Sequence, residues 1–416
     1  MPQKTKNNSR PAKSTKTSAK KPRPAKVNDP IKKPRWPLFI LYVLGLLLAI
    51  SAALPAYIQS NFLKDFVSLP TVSLFFVLAN ILTVTAILVF PRFIREFSNY
   101  TTAKAVLIIY AAALLCLSMA NSPFSALVSI ILFTISSNLI LINLDLLVEK
   151  FSKNVSTGRT RTIYFTFINV GWMISPLLSS YLIKVGTYEL TFFISAALIL
   201  PVFLILLAYG RQLGGHTAYQ PEKISITATK MWRNQNLRGI FFIAVLLQLF
   251  YSFAVVYVPI YLHQTLGIGW DTLGLIFSIM LVPFVIFEIP AGILADKYWG
   301  EKEILTSGLL ILTVSLFLFF YIETPLIWLW ALVLFLSRVG AALVEAMRET
   351  YFFKLVGAKD VGFINLFRLS SPFAYIIGPL ITILVLTFLP INYVFLAAAI
   401  IMLSGFWFIA KIKDTK

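Results

Sequence analysis

Charged residues and cysteine are both scarce in this chain of 416 residues. Only 13% of the residues are charged, which is about half the share usual in soluble globular proteins, whereas 58% are hydrophobic. This composition excludes an ordinary water-soluble domain. Cys116 is the single cysteine, so a disulfide bond within the chain is excluded as well.

Histidine is also rare, and motifs of catalysis are missing. His216 and His263 lie far apart, and no residues have the spacing of a metal site. The chain has no Walker loop, no nucleophile elbow, no His-Glu metal motif and no carboxylates paired in a facing loop. We therefore expect no metal, no cofactor and no catalytic residues, and a function other than that of an enzyme.

Long apolar runs are abundant instead. About 20 predominantly apolar residues suffice for a helix to cross roughly 30 Å of hydrocarbon, and only helices or closed barrels satisfy their backbone groups there. The runs are too long for barrel strands. They predict an all-α polytopic membrane protein with spans at 36–58, 72–91, 102–120, 123–147, 162–184, 188–209, 239–262, 272–295, 303–322, 325–348, 361–387 and 390–411.

Much of the net charge of +19 lies before the first predicted span. Residues 1–35 hold twelve Lys or Arg residues against one acid, Asp29, and have few apolar side chains. Such a segment cannot bury a core, so we expect a disordered tail. Clustered basic residues beside a membrane helix favour anionic lipids. Binding to RNA or a ribosome is the alternative that we weigh below this one.

The remaining basic residues predict the orientation. Of the 36 Lys and Arg residues, only Lys64 and Lys184 fall in loops on the side away from the tail, and Arg338 and Arg368 fall inside spans. Because basic loops face the cytoplasm, this partition predicts a multi-pass protein of the plasma membrane with both termini in the cytoplasm.

The predicted spans form two groups of six. We expect a tail (1–35), a first bundle (36–209), a cytoplasmic linker (210–238), a second bundle (239–411) and a short tail (412–416). Residues recur between the bundles: Pro55 and Tyr57 match Pro259 and Tyr261, and Glu149, Asn169 and Pro176 return 196 positions later as Glu345, Asn365 and Pro372. Duplication predicts two pseudo-symmetric six-helix bundles.

One loop carries a family motif. Gly292-Ile-Leu-Ala-Asp296-Lys297-Tyr-Trp-Gly300 follows the eighth span and resembles the signature loop of the major facilitator superfamily, whose fold also has two six-helix halves. The corresponding first-half loop, around Arg92 and Arg95, keeps basic residues but lacks the glycine and aspartate. The resemblance covers about residues 36–411.

The resemblance implies a fold and a gate. In the family this loop is part of a latch that closes the cytoplasmic side in one conformation, so Gly292, Asp296, Lys297 and Gly300 become candidate gate residues. Gly292 should allow helices to approach closely. The alternative is that Asp296 and Lys297 only mark the boundary between lipid and water.

Charges inside the spans concentrate in the second half. Glu288, Arg338, Glu345 and Arg368 lie at similar predicted depths, about 5–15 Å from the cytoplasmic surface. Charges in the bilayer are costly and are usually functional. We expect one buried network that gates the cytoplasmic side; coupling to protons through a glutamate, or binding of an anionic substrate by the arginines, is the alternative.

Neutral polar residues are candidates for a central cavity. In the family, spans one, four, seven and ten line this cavity, which makes Asn138, Gln248, Tyr251 and Tyr257 possible lining residues. Hydrogen bonding between helices is the commoner role of such side chains.

The sequence therefore predicts a monomeric secondary active or facilitative transporter. Two halves would rock about a site at the midplane and expose a small solute to each side in turn. The partners we expect are that solute, the lipid bilayer and, as a candidate coupling ion, the proton. The alternative is a membrane scaffold or receptor with the same fold that transports nothing.

Overall fold

The computed structural model describes residues 36–151, 157–213, 224–356 and 361–413, together with Met1 and Gln3. Every regular element in these ranges is a helix. The predicted basic tail and the last three residues lie outside the described residues.

Within these described ranges, eleven helical segments are long and apolar enough to span a membrane, and one of them holds two crossings. Leu69–Ser118 would be about 75 Å long if straight, more than twice the thickness of the hydrocarbon. It breaks at Ser98, whose backbone is not helical (φ 70°, ψ 156°). Twelve crossings result, as the sequence predicts.

We number the crossings span 1 to span 12. In chain order they are Trp36–Ala56, the two arms of Leu69–Ser118, Pro123–Phe151, Thr157–Val185, Tyr188–Ala197 continued by Ile199–Leu213, Gln235–Ile260, Trp270–Lys297, Glu301–Tyr321, Ile327–Leu355, Val361–Arg368 continued by Ser370–Leu386, and Asn392–Lys411. Three short elements complete the described chain: the helices Gln59–Lys64 and Ile224–Arg233, and the π-helix Tyr261–Thr265.

Contacts between span ends define two sides. Gln235, at the start of span 7, donates a hydrogen bond to the carbonyl of Lys411, at the end of span 12 (2.7 Å). We call this the terminal side, because span 1 also begins there. On the opposite side, Asn392 at the start of span 12 donates to Glu323 after span 9 (3.3 Å).

The two halves meet along two pairs of helices. Span 5 packs against span 8, and span 11 packs against the helix Leu69–Ser118 that holds spans 2 and 3. Within each half, the neighbours include spans 1 and 5, and spans 8 and 10.

Two glycines bring spans 9 and 10 into backbone contact. A Cβ added at Gly340 would lie 2.8 Å from the Gly308 carbonyl oxygen, and one added at Gly308 would lie 2.9 Å from the Gly340 oxygen. Small residues permit such close packing of membrane helices.

Gly292 shows no such contact among the described residues. A Cβ added there would meet no described atom within 4 Å. The close approach of helices at Gly292 therefore stays a prediction.

Two predicted boundaries also change. Span 10 continues to Leu355, seven residues beyond its predicted end, because its last turns are helical despite their charges. The linker contains the helix Ile224–Arg233, whose Thr227 side chain packs against Gly362 at the start of span 11.

The glycine contact gives a matched pair of variants. We expect Gly340→Ala to lower the free energy of unfolding by about 1–3 kcal/mol, because the new methyl group collides with the backbone of span 9. Gly292→Ala should be neutral or slightly stabilising, because alanine favours a helix and the space is open. Thermal unfolding in detergent would measure both, and equal melting temperatures would contradict the assignment.

Candidate functional site

The terminal-side half of span 10 carries a cluster of charged side chains, which we call the span 10 cluster: Glu345, Arg348 and Glu349. Arg348 lies 3.4 Å from Glu345 and 3.6 Å from Glu349, and its side chain is only 3% exposed. One arginine thus sits between two carboxylates, which offsets part of the cost of its burial.

Spans 7 and 11 complete this cluster. Tyr251 of span 7 donates its hydroxyl hydrogen to Glu345 (2.6 Å). Arg368 contacts both oxygens of Glu349 through its two terminal nitrogens, at 2.8 and 3.4 Å. A guanidinium bound to both oxygens of a carboxylate is geometrically specific. These contacts connect spans 7, 10 and 11 at one depth.

Glu288 of span 8 faces the first half of the protein. Its Oε1 accepts a hydrogen bond from Asn169 of span 5 (3.2 Å), and the carboxyl group is close enough to Glu345 and Glu349 for electrostatic interaction. Asn169 and Glu288 therefore form a direct bond between the two halves.

Arg338 lies apart from these carboxylates. It is 1% exposed, and its guanidinium is stacked 5.0 Å from the centre of the Phe250 ring. It is also within electrostatic range of the hydroxyl group of Tyr57, directly after span 1. Among the described residues it forms no ion pair, but it is within electrostatic range of Tyr251, which is hydrogen-bonded to Glu345.

The depth predicted for Arg338 is also corrected. It lies about 16 Å along span 10 from Ile327 but about 26 Å from Leu355. Because the predicted span ends seven residues too early, the sequence places the arginine closer to the terminal side than it is. It lies near the middle of the helix, slightly toward the opposite side.

Aromatic rings of both halves pack together near Arg338, on the side of it that faces away from the terminal side. Tyr57 stacks on Phe277 of span 8 with ring centres 5.1 Å apart, and Trp172 of span 5 meets Tyr57 edge-on at 6.4 Å. We call Tyr57, Trp172 and Phe277 the aromatic lid.

Polar contacts between the halves continue from the lid to the opposite side. Ser180 donates a hydrogen bond to the Trp270 carbonyl (2.7 Å), and an added Cβ at Gly274 would meet the Ser180 Cβ at 2.3 Å. An exposed ion pair joins Lys184 to Asp271 (3.1 Å). Spans 5 and 8 are therefore in tight contact at this end.

The predicted cavity residues have different surroundings. Tyr251 belongs to the contacts of the span 10 cluster, and Gln248 is half-buried one turn away on span 7. Asn138 donates to the Thr134 carbonyl of its own helix (2.9 Å). Tyr257 is fully buried and hydrogen-bonded to Ser73 of span 2 (2.8 Å), which places it in the contact between the halves rather than beside a cavity.

Two of the predicted gate residues cannot be placed. The backbone of Asp296 and Lys297 ends span 8, but their side chains lie outside those that the structure describes. Gly300 is buried and precedes the first residue of span 9 with an extended backbone (φ −82°, ψ 171°).

Sequence reasoning missed Arg348, Glu349 and Tyr57 as site residues. The apolar window ends at Arg348, which places this arginine in a loop. The spacing of three between Glu345 and Arg348 was a usable signal, since such residues face each other on a helix. Tyr57 stands out in the sequence only as part of the repeat.

The chain matches a family description over nearly its whole length. The description is Major Facilitator Superfamily, and the matched residues are 38–280 and 240–416. A curated relative, the uncharacterized MFS-type transporter YxiO of Bacillus subtilis (strain 168), is 31% identical over 118 residues. That match spans 28% of this chain and 27% of the relative, so it covers about a quarter of each.

Solved structures share the fold. A POT family transporter in complex with 5-aminolevulinic acid superposes with a TM-score of 0.77 at 14% identity, over 93% of this chain and 98% of that one. A mutant of the nucleoside transporter NupG gives 0.70 at 15% identity, over 91% and 100%. A bacterial homolog of the human lysosomal transporter Spinster, inward-facing and unoccupied, gives 0.69 at 11%, over 90% and 95%.

The bond from Tyr251 to Glu345 can be tested by a double-mutant cycle. Tyr251→Phe removes the donor at nearly constant volume, so we expect a loss of about 1–3 kcal/mol in the free energy of unfolding. In a Glu345→Gln background the same change should cost less, because the charged acceptor is gone. Tyr298→Phe, at an exposed tyrosine, is the control. Equal costs in both backgrounds would contradict the bond.

Proposed function

Because the chain belongs to the major facilitator superfamily, a family of solute transporters, we propose that it carries a small solute across the membrane by alternating access. The contact of span 5 with span 8 carries this proposal. It joins the halves directly, from Asn169–Glu288 to Lys184–Asp271, and a rocking motion must open one end of it.

The proposed orientation places the terminal side in the cytoplasm. The distribution of basic residues supports it, and the plasma membrane is the location that we propose. With this orientation, the lid and the Lys184–Asp271 pair close the outside. The conformation described here has contacts between the halves toward both sides, Lys184–Asp271 toward the outside and Asn169–Glu288 toward the cytoplasm, and contacts on one side must break for a solute to enter or leave.

A single-cysteine assay tests the orientation. In a Cys116→Ala background, Asn121→Cys lies exposed on the opposite side and Thr229→Cys lies exposed on the linker helix of the terminal side. We expect an impermeant maleimide to label position 121 in intact cells, and position 229 only after the cells are broken. Labelling of position 229 in intact cells would contradict the proposed orientation and favour the reverse one.

We propose that the contacts among Glu288 and the span 10 cluster act mainly as a gate on the terminal side. Glu288 binds a residue of the other half, and the remaining charges bind each other. Proton coupling is the second candidate function of Glu288, favoured by its position as a carboxyl group inside a span beside other carboxylates.

Glu288→Gln separates these two roles. The glutamine oxygen can still accept the hydrogen bond from Asn169, but the side chain no longer binds a proton in the relevant pH range. For a gate we expect uptake by proteoliposomes to respond to a pH gradient as the original protein does. Asn169→Ala should instead change the uptake rate, because it breaks the bond between the halves. Loss of the response in Glu288→Gln would assign proton coupling to Glu288.

Uptake by proteoliposomes is also the test of transport itself. A panel of sugars, peptides, drugs and carboxylates, each with and without a pH gradient, should include at least one solute that accumulates above protein-free vesicles. If no solute of the panel accumulates, the result would contradict transport and favour a scaffold or receptor. We further propose that the transporter is monomeric and that its basic tail contacts anionic lipids.

A further inference from the structure

Arg338 carries a charge that the described chain does not neutralise. Its Nη1 atom is buried and has no hydrogen-bond partner, and the guanidinium forms no ion pair with any described residue. Arg348 and Arg368, by contrast, each contact at least one carboxylate. Arg338 thus differs from Arg348 and Arg368, because it contacts no described carboxylate.

Burying a charge without a partner is unfavourable, and the groups around Arg338 offset only a small part of this free energy. An uncompensated charge within a membrane protein costs several kcal/mol. Contact with a phenyl ring returns about 0.5–2 kcal/mol, and the neutral Tyr57 hydroxyl offers one lone pair but no negative charge. A missing anion would account for the arginine and for its free Nη1.

The neighbours of Arg338 are uncharged and aromatic. They are Phe250 of span 7, Tyr57 directly after span 1, and Tyr251 of span 7 and Tyr375 of span 11, the last two within electrostatic range of the guanidinium. One positive group surrounded by rings suits a ligand with one negative group and an apolar or aromatic body. It does not suit a highly hydrated or multiply charged ion.

Arg338 also lies where a transported solute would bind. It is near the middle of span 10, and its neighbours come from both halves, because Tyr57 directly follows span 1 and Phe250 belongs to span 7. The aromatic lid covers it on the opposite side. A ligand bound here would touch both halves and would be shielded from that side.

We propose that Arg338 binds the carboxylate of an organic monoanion whose apolar or aromatic body packs against Phe250, Tyr57 and Tyr375. This inference rests on the proposed transport function and names its substrate class. The carboxylate takes the free Nη1 and displaces the Tyr57 hydroxyl from the guanidinium. Because Tyr57 is also part of the aromatic lid, binding of the anion loosens the contact that closes the opposite side.

Ligand binding to the purified full-length protein tests the proposal without requiring transport. Benzoate is the probe, benzamide is its neutral analogue of the same shape, and inorganic phosphate is an anion without an apolar body. We expect benzoate to raise the melting temperature in a saturable manner, and benzamide and phosphate to bind at least about tenfold more weakly, since a charge-assisted bond contributes about 1.5–3 kcal/mol. Equal binding of benzoate and benzamide would overturn the proposal.

Arg338→Met is the decisive variant, because methionine fills a similar volume without charge. We expect it to lose benzoate affinity by at least about tenfold and to unfold at a higher temperature than the original protein without ligand, since an uncompensated buried charge is removed. A purely structural arginine would give the reverse, a lower melting temperature with benzoate affinity unchanged. Arg233→Gln, at an exposed arginine of the linker helix, is the control for loss of one positive charge.

Arg338→Lys provides a second test of the proposal if the methionine variant cannot be purified. It keeps the charge but not the planar fork, so benzoate should bind more weakly than to the original protein and more strongly than benzamide does. Uptake data separate this inference from the transport proposal. A neutral solute carried equally well by the original protein and by Arg338→Met, without benzoate binding, would overturn the inference and leave transport intact.

Discussion

Hydrocarbon contains no water to solvate a charge, so every ionised side chain inside this protein needs a partner from the protein itself or from a ligand. The second half meets this requirement on its terminal side with carboxylates and arginines bound to each other across spans 7, 10 and 11. In the first half, neutral groups connect helices, as where Ser51 donates to the Ser195 carbonyl (2.8 Å). Among the described side chains, charge pairs thus join helices of the second half, and small polar residues join helices of the first.

The transmembrane segments were predictable because one physical quantity, the length of an apolar run, determines them. All twelve crossings agree with the prediction to within about five residues, except at the ends of spans 2 and 10, which lie six to seven residues later than predicted. The end of span 10 was hidden because its helix continues through Arg348 and Glu349, whose charges are satisfied by tertiary contacts. A hydropathy window counts each residue separately, so paired charges look like the end of a span even where the helix continues.

The candidate site was predictable only in part. Residue type alone marked Glu288, Glu345 and Arg368 as unusual, and each does have a polar partner. The partners themselves depend on how helices distant in sequence are rotated against each other, which no local pattern encodes. Arg338 shows this most clearly, since it shares a helix with Glu345 but contacts Phe250 and Tyr57 instead.

The break at Ser98 has a mechanical consequence. Spans 2 and 3 are joined there by one non-helical residue rather than by a flexible loop. Span 2 contacts the other half through the hydrogen bond between Ser73 and Tyr257 of span 7, and the helix Leu69–Ser118 packs extensively on span 4. Because a single residue joins the two arms, a displacement of span 2 at the contact between the halves must also displace the start of span 3. The two spans therefore cannot move independently of each other.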